Sequence, residues 1–409
     1  AIAAVQAGRA GARTLLVEKA AALGGTTTTA GVNFPGLFHA WGRQIIAGIG
    51  WELVRSCVEE CGDTLPDFTH YQQPHNRLQI RVNPHVYSAL CNEAVVQSGA
   101  NVLFHTMVAG LIERGNDGWQ VDLCTKGGIV HCGSRVVIDA TGDANAASLA
   151  GLALHAPEEQ QPATLTYRVG GYDPAELDIE RLNHAFDAEV KAGRLSYTDA
   201  SWNTTGADLG RWLHSRGVQS NHIHHIDARD SEGKTQLELQ ARRSLLCLYR
   251  FLRKQPGLER LTIEYVAPEC GVRETVTVRG EATVTVHDYQ SGRVWEDAVC
   301  YSFYPIDLHV SSGSGLDMEM LAEGVVPTIP RAAMLPQGSR HFLVAGRCIS
   351  SDRLANSALR VQATSMATGQ GAGALAALAA SAGCSPGDVP LDDMRTLLKA
   401  HGAIVPPVP

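Results

Sequence analysis

The opening eighteen residues constrain this chain more than any other stretch. Ala1-Ile2-Ala3-Ala4-Val5-Gln6-Ala7-Gly8-Arg9-Ala10 reads as a small-residue helix and Gly11 as its stop. Leu15-Leu16-Val17 reads as a short apolar strand, with Glu18 as an acidic residue at its end. A dinucleotide-binding βαβ crossover takes this order after its glycine loop. Small side chains let the helix lie close on a sheet, and a terminal carboxylate accepts two hydrogen bonds from a ribose diol. The pattern predicts a preceding strand and a G-x-G-x-x-G turn just ahead of Ala1. Taken alone, the same residues also suit any α/β crossover.

Composition narrows the class. A chain of 409 residues has room for two domains, or for one domain with an insertion. The net charge of -8 and the lack of a dense Lys/Arg cluster argue against nucleic acid as a partner and favour a small molecule. Ten cysteines are scattered without a C-x-x-C pair, so they encode neither a zinc ribbon nor a redox dithiol. They suit a reducing compartment, and a cytoplasmic location is expected. An opening at Ala1 leaves a signal peptide open. The apolar run from Ala372 to Cys384 is short and rich in Ala and Gly, so no membrane span is expected.

After Glu18 and Lys19, the loop Leu23-Gly24-Gly25-Thr26-Thr27-Thr28-Thr29-Ala30-Gly31 can bring backbone amides close to phosphate or to a flat ring. A helix is predicted over 48–62 and another over 83–99, the second opened by Asn83-Pro84. A strand is predicted over 101–107, and a hairpin over 119–125 and 129–132 about Lys126-Gly127-Gly128. Arg135-Val136-Val137-Ile138-Asp139-Ala140-Thr141-Gly142-Asp143 predicts a buried strand ending in a glycine turn, the type found inside parallel sheets. From 155 to 335 the rhythm breaks, with a helix predicted over 178–192 and half-buried strands over 275–278 and 281–287. His341 to Arg347 then predicts a strand ending in glycine, and 356–381 one long small-sided helix. The expected architecture is α/β, a Rossmann-like FAD/NAD(P)-binding domain in two segments, 1–154 and 336–409. An α+β capping or substrate domain at 155–335 interrupts it.

Taken in order, five segments resemble FAD-dependent oxidoreductases with the glutathione-reductase-like FAD domain, in the branch near the fumarate reductase and succinate dehydrogenase flavoproteins. They are Leu15 to Gly25, Ile138 to Asp143, Gly271-Val272-Arg273-Glu274-Thr275, Tyr304-Pro305-Ile306-Asp307-Leu308-His309, and Leu343 to Ser350 continuing into Ser357-Ala358-Leu359-Arg360-Val361. The resemblance implies that Glu18, beside Lys19, holds the adenosine ribose and that Val108 meets the adenine edge. It implies that Gly24, Gly25 and Thr26 lie along the cofactor, with Ala140, Thr141, Gly142 and Asp143 forming the turn beside it. Gly346 and Arg347 would approach the ribitol and phosphates, and Ser357 to Val361 the flavin. No histidine stands between Gly24 and Phe34, so FAD is expected to bind non-covalently.

Three side chains are candidates for chemistry. Arg273 could clamp a substrate carboxylate in bidentate fashion, or pair structurally with Glu274. Arg360 could neutralise the flavin or meet the substrate. His309 could move the proton that accompanies a hydride, or simply satisfy buried backbone. A helix starting at Asn356 would point its free amides at the N1–C2=O edge of the flavin, where negative charge develops on reduction. The run Asn221-His222-Ile223-His224-His225 invites a metal reading. On a strand, however, His225 would face away from His222 and His224, so no metal is expected. The favoured reading is hydride transfer between flavin N5 and a small carboxylated or polar substrate, with an unknown electron acceptor or donor. A flavin monooxygenase or a non-catalytic electron-transfer subunit is the alternative. A homo-oligomer is compatible with all three.

Overall fold

Parallel pairing occurs twice in the computed structural model, which describes residues 1–218 and 221–407. Helix α1 (Ile2–Arg9) leads into β1 (Leu15–Val17), which runs beside β4 (Asn101–Leu103) with Leu16 opposite Val102. Far along the chain, β8 (Val137–Asp139) meets β17 (Phe342–Val344), Ile138 opposite Leu343. Between β1 and β8 lie α2 (Thr26–Thr29), the small hairpin β2 (His39–Ala40) and β3 (Arg43–Gln44), and helices α3 (Ile49–Glu60) and α4 (Pro84–Gln97). An antiparallel meander follows β4: β5 (Met107–Glu113), β6 (Trp119–Thr125) and β7 (Gly128–Ser134). Asn83 starts α4 by accepting from the amides of His85 and Val86, with Pro84 in the first turn.

Two hydrophobic cores result. The smaller draws on Ala163 to Cys270. It is built by β10 (Tyr167–Gly170) and β11 (Thr262–Val266), with α6 (Ile179–Lys191), α7 (Leu209–His214) and the long α8 (Ser231–Leu252). Leu237, Ala241, Leu245, Leu248 and Leu252 recur every three or four residues along α8 and form its buried stripe. Each such leucine contributes about 1.5–3 kcal/mol on leaving water.

The larger core collects both parallel pairs. It also takes in α5 (Asn145–Leu149), β9 (Leu154–His155) with β12 (Thr277–Val278), α9 (Val286–Gln290), and β13 (Ala298–Tyr301) with β16 (Thr328–Pro330). The hairpin β14 (Ile306–His309) and β15 (Leu316–Glu319) adjoins it, followed after β17 by α10 (Arg353–Leu359), α11 (Gln362–Ala382) and α12 (Leu391–Ala400). α11 is buried along most of its length and packs against α1. A Cβ on Gly373 would stand 2.3 Å from the Ala3 carbonyl oxygen, which explains the run of small residues. Among the described residues, no helix is long and apolar enough to cross a membrane.

Three expectations need correction. The helix expected over 356–381 is two helices, because Asp352 caps the amide of Ala355 to start α10, and Val361 turns extended (ψ 152°) before α11. The strand expected over 281–287 gives way to α9, because Thr285 and Asp288 form a capping box that alternation of polarity cannot reveal. The histidine run is not a strand. Only Ile223 makes a bridge, to Ala163, and His225 adopts φ +58°.

Candidate active site

The ends of the parallel strands carry the glycine turns. After β1, Glu18 accepts a 2.8 Å bond from the Ala20 amide, and Lys19 pairs with Glu269 at 3.4 Å on the surface. Gly24 and Gly25 adopt positive φ and lead into α2. Around a Cβ built on Gly25 nothing lies within 4 Å, so its backbone is approachable from that side. Gln362, the first residue of α11, ties this loop down. Its Nε2 donates to Thr26 Oγ1 at 3.1 Å and to the Val32 carbonyl at 2.7 Å, and its Oε1 accepts from Thr27 Oγ1 at 2.7 Å.

After β8, buried Asp139 organises the next turn, accepting from the Thr141 amide and hydroxyl at 2.9 and 2.7 Å and from the Ala147 amide at 2.9 Å. Ala140 is exposed, while Gly142 turns with φ +81° beside the Arg347 guanidinium. Arg347 Nη2 pairs with Asp143 at 2.7 Å, and Nη1 donates to the Val272 carbonyl. Gly346, with φ +79° after β17, donates its amide to Thr368 on α11 at 3.1 Å. Val108 is half-buried in β5, at a register shift against β6.

The two-helix break relocates the amides. Ser357, Ala358 and Leu359 lie buried in the last turn of α10, and the Arg360 amide donates to Asn356 within that helix. The positive helix end therefore belongs to the first turn of α11, after Val361, where Pro35 takes the Ala363 amide at 2.6 Å.

Beside that break, the chain gathers charge and imidazole. Arg360 Nη2 donates to the Asp307 carboxylate at 3.1 Å and to its carbonyl at 3.0 Å. Its Nε is buried without a partner among the described residues. Arg273, on the extended segment before β12, donates to the Pro162 carbonyl at 2.6 Å and to Thr164 Oγ1 at 3.0 Å. Burial, and then neighbouring Arg360, pushes the Arg273 guanidinium down to about 9.

His309, at the end of β14, shares a 2.8 Å hydrogen bond between its Nδ1 and His222 Nε2. Its Nε2 stands 3.8 Å from Asp307. Burial lowers both imidazoles. Arg273 and Arg360 depress His309 further, and Arg273 helps push His222 down to about 2. Trp202 stacks on His222 and meets His309 edge-on. Gln161 accepts from the His309 amide at 3.1 Å, leaving its own Nε2 buried and unbonded among the described residues.

The three residues proposed for chemistry thus meet in one polar cluster between the two cores. Asp307, Gln161 and His222 join them without having been singled out for this place. For His222 the sequence signal is the histidine run Asn221-His222-Ile223-His224-His225. For Gln161 the sequence carries none.

These residues fit a dinucleotide cofactor. Glycine turns close three strands, Gly25 offers open backbone, and the first turn of α11 and Arg360 Nε, which is without a partner among the described residues, favour negative charge. Together they define an α/β scaffold for a flavin or nicotinamide dinucleotide. The chain belongs to the FAD dependent oxidoreductase family, whose model matches residues 1–398. It has the family's FAD-binding Rossmann-like fold, and its cofactor is FAD.

Among solved structures, a geranylgeranyl bacteriochlorophyll reductase-like protein from Thermoplasma acidophilum is 13% identical, with 98% of this chain covering 79% of that one at a TM-score of 0.42. The p-nitrophenol 4-monooxygenase of Pseudomonas putida DLL-E4 is 10% identical, covered over 98% and 76%, TM-score 0.38. The flavin-dependent halogenase CmlS is 12% identical, covered over 98% and 59%, TM-score 0.40. No curated protein matches this chain.

Proposed function

We propose that this protein transfers hydride between a small carboxylated or polar organic molecule and FAD. The observation that carries this reading is the convergence of Arg273, Arg360, Asp307 and His309 beside the N-terminus of α11. FAD, when bound, supplies the two-electron acceptor or donor.

In this reading, Glu18 and Lys19 hold the adenosine and Val108 meets the adenine. Gly24, Gly25, Thr26, the turn Ala140 to Asp143, and Gly346 with Arg347 line the rest of the dinucleotide, and Leu359 to Val361 adjoin the ring. The segment carrying the second core covers the site and excludes water. Arg273 anchors a substrate carboxylate, because a guanidinium already costly to bury gains most from an anionic partner. His309 exchanges the proton at Nε2. Its low affinity for a proton in the free protein rises once an anion offsets the two guanidiniums.

The test begins with the visible spectrum of the purified protein before and after adding FAD. Anaerobic bleaching of the bound flavin by a panel of small 2-hydroxy and 2-amino acids and saturated dicarboxylates follows, with return of colour to the reduced flavin on adding unsaturated carboxylates as the test of the reverse direction. The reading predicts flavin bands, bleaching by a carboxylate, and an Arg273→Ala variant that keeps its flavin but loses turnover. A protein that takes up no flavin, or an Arg273→Ala variant of normal activity, overturns it.

A further inference from the structure

The histidine run has no role in the reading above, yet its members form a file. His309 is 4% exposed and His222 2%, whereas His224 is half-buried and His225 exposed. The 2.8 Å bond joins His309 Nδ1 to His222 Nε2. The His222 and His224 rings stand edge to face with centroids 5.4 Å apart, and His224 and His225 at 5.8 Å. His222 Nδ1 and both ring nitrogens of His224 are buried and unbonded among the described residues. Four imidazoles thus run from the polar cluster to the surface, each ring centroid within 5.8 Å of the next.

We propose that His222 and His224 relay protons between His309 and solvent. The proposal rests on the hydride-transfer reading for its purpose, although the relay itself is a property of the chain. When substrate is oxidised, hydride leaves its carbon with both electrons, and the matching proton leaves its oxygen or nitrogen for His309 Nε2. His309 then gives up its Nδ1 proton to His222 Nε2, and His222 passes its Nδ1 proton through His224 to water. Each imidazole gains one N–H bond and loses another, so no proton accumulates beside Arg273 and Arg360. Substrate reduction runs the same path backwards.

The electrostatics favour outward flow. Arg273 and Arg360 both bear on His309, whereas of the two only Arg273 bears on His222. For His224, burial and then His225 lower its proton affinity, and Glu159 opposes them. A proton leaving His309 therefore moves away from two guanidiniums and toward Glu159, against the pull of the Asp307 carboxylate 3.8 Å from His309 Nε2. His222 acts through His309, so it is a relay and positioning residue.

The test uses the whole protein labelled with ¹⁵N-histidine. A proton shared between His309 and His222 gives a far-downfield resonance whose exchange with water is measured by saturation transfer. It should vanish in His309→Phe and in His222→Phe. In His224→Leu it should persist but exchange at least about tenfold more slowly, on the scale at which proton-transfer groups act. His131→Gln, at a remote surface histidine, should leave the exchange rate as it is. Absence of the shared proton, or exchange indifferent to His224→Leu, overturns the relay. With FAD bound, imidazole added to His222→Gly should restore flavin bleaching by the carboxylate found active, whereas a merely structural His222 would gain nothing. If no flavin binds, the function proposed above falls, but the exchange measurement still decides the relay.

Discussion

Arg360 grips Asp307 twice, through its carboxylate at 3.1 Å and its carbonyl at 3.0 Å, so one guanidinium fixes both the side chain and the backbone at the middle of β14. The pair is largely enclosed, with side-chain exposures of 12% and 16%. Removing one partner strands the other. Arg360→Ala should therefore destabilise the protein by about 3 kcal/mol, read as a lower urea midpoint, and Arg360→Lys should recover only part of it. An unchanged midpoint would mean that water replaces the guanidinium.

Gln362 is expected to matter through FAD more than through folding. Three bonds connect it to Thr26, Thr27 and Val32, and Gln362→Leu releases all three while keeping the side-chain volume. At about 1 kcal/mol for each bond, the loop after β1 loosens and FAD affinity falls roughly tenfold or more. Fluorescence titration with FAD reads the change, and retained affinity would separate this loop from the cofactor.

Gly142→Ala should weaken the turn after β8. Its φ of +81° disfavours any Cβ, and the new atom would stand 2.7 Å from Arg347 Nη2. The loss is about 1–3 kcal/mol and should appear together with disruption of the Arg347–Asp143 pair. The double variant Gly142→Ala/Arg347→Ala should then cost less than the sum of the two single changes.

Acid should unfold this protein through its histidines. His222 is pushed down to about 2, and His39, by burial, to about 4. Each binds a proton in the unfolded chain near pH 6.5 but not in the folded one, so the unfolded state gains protons as pH falls. Stability is complete above about pH 6.5 and declines below it, toward pH 4 for His39 and toward pH 2 for His222. Denaturant midpoints measured between pH 4.5 and 7.5 should fall toward acid, and His39→Gln should flatten that slope. A slope of opposite sign would contradict the burial of these rings.

Local signals in the sequence translated well into local structure. Asn83-Pro84 opens α4, Lys126 to Gly128 turns β6 into β7, and the apolar runs at Val137 and Phe342 pair in parallel. What failed was the choice between competing local signals. Small residues from Asn356 to Ser381 mask the stop at Val361 and draw the eye past Asp352, the residue that caps α10. Contacts between distant segments were beyond any local reading. Nothing near Arg273, His309 or Arg360 announces that the three share a neighbourhood, nor that His222 reaches His309, because those meetings depend on how two cores come together.

The stop at Val361 has a consequence of its own. An unbroken rod through this region would keep its two electrical poles at its far ends, away from the interior. Cutting it in two brings the negative end of one segment and the positive end of the next to the same half-buried spot. One extended residue thus turns ordinary backbone into a compact electrode, and shifting the break by a single position would re-aim it.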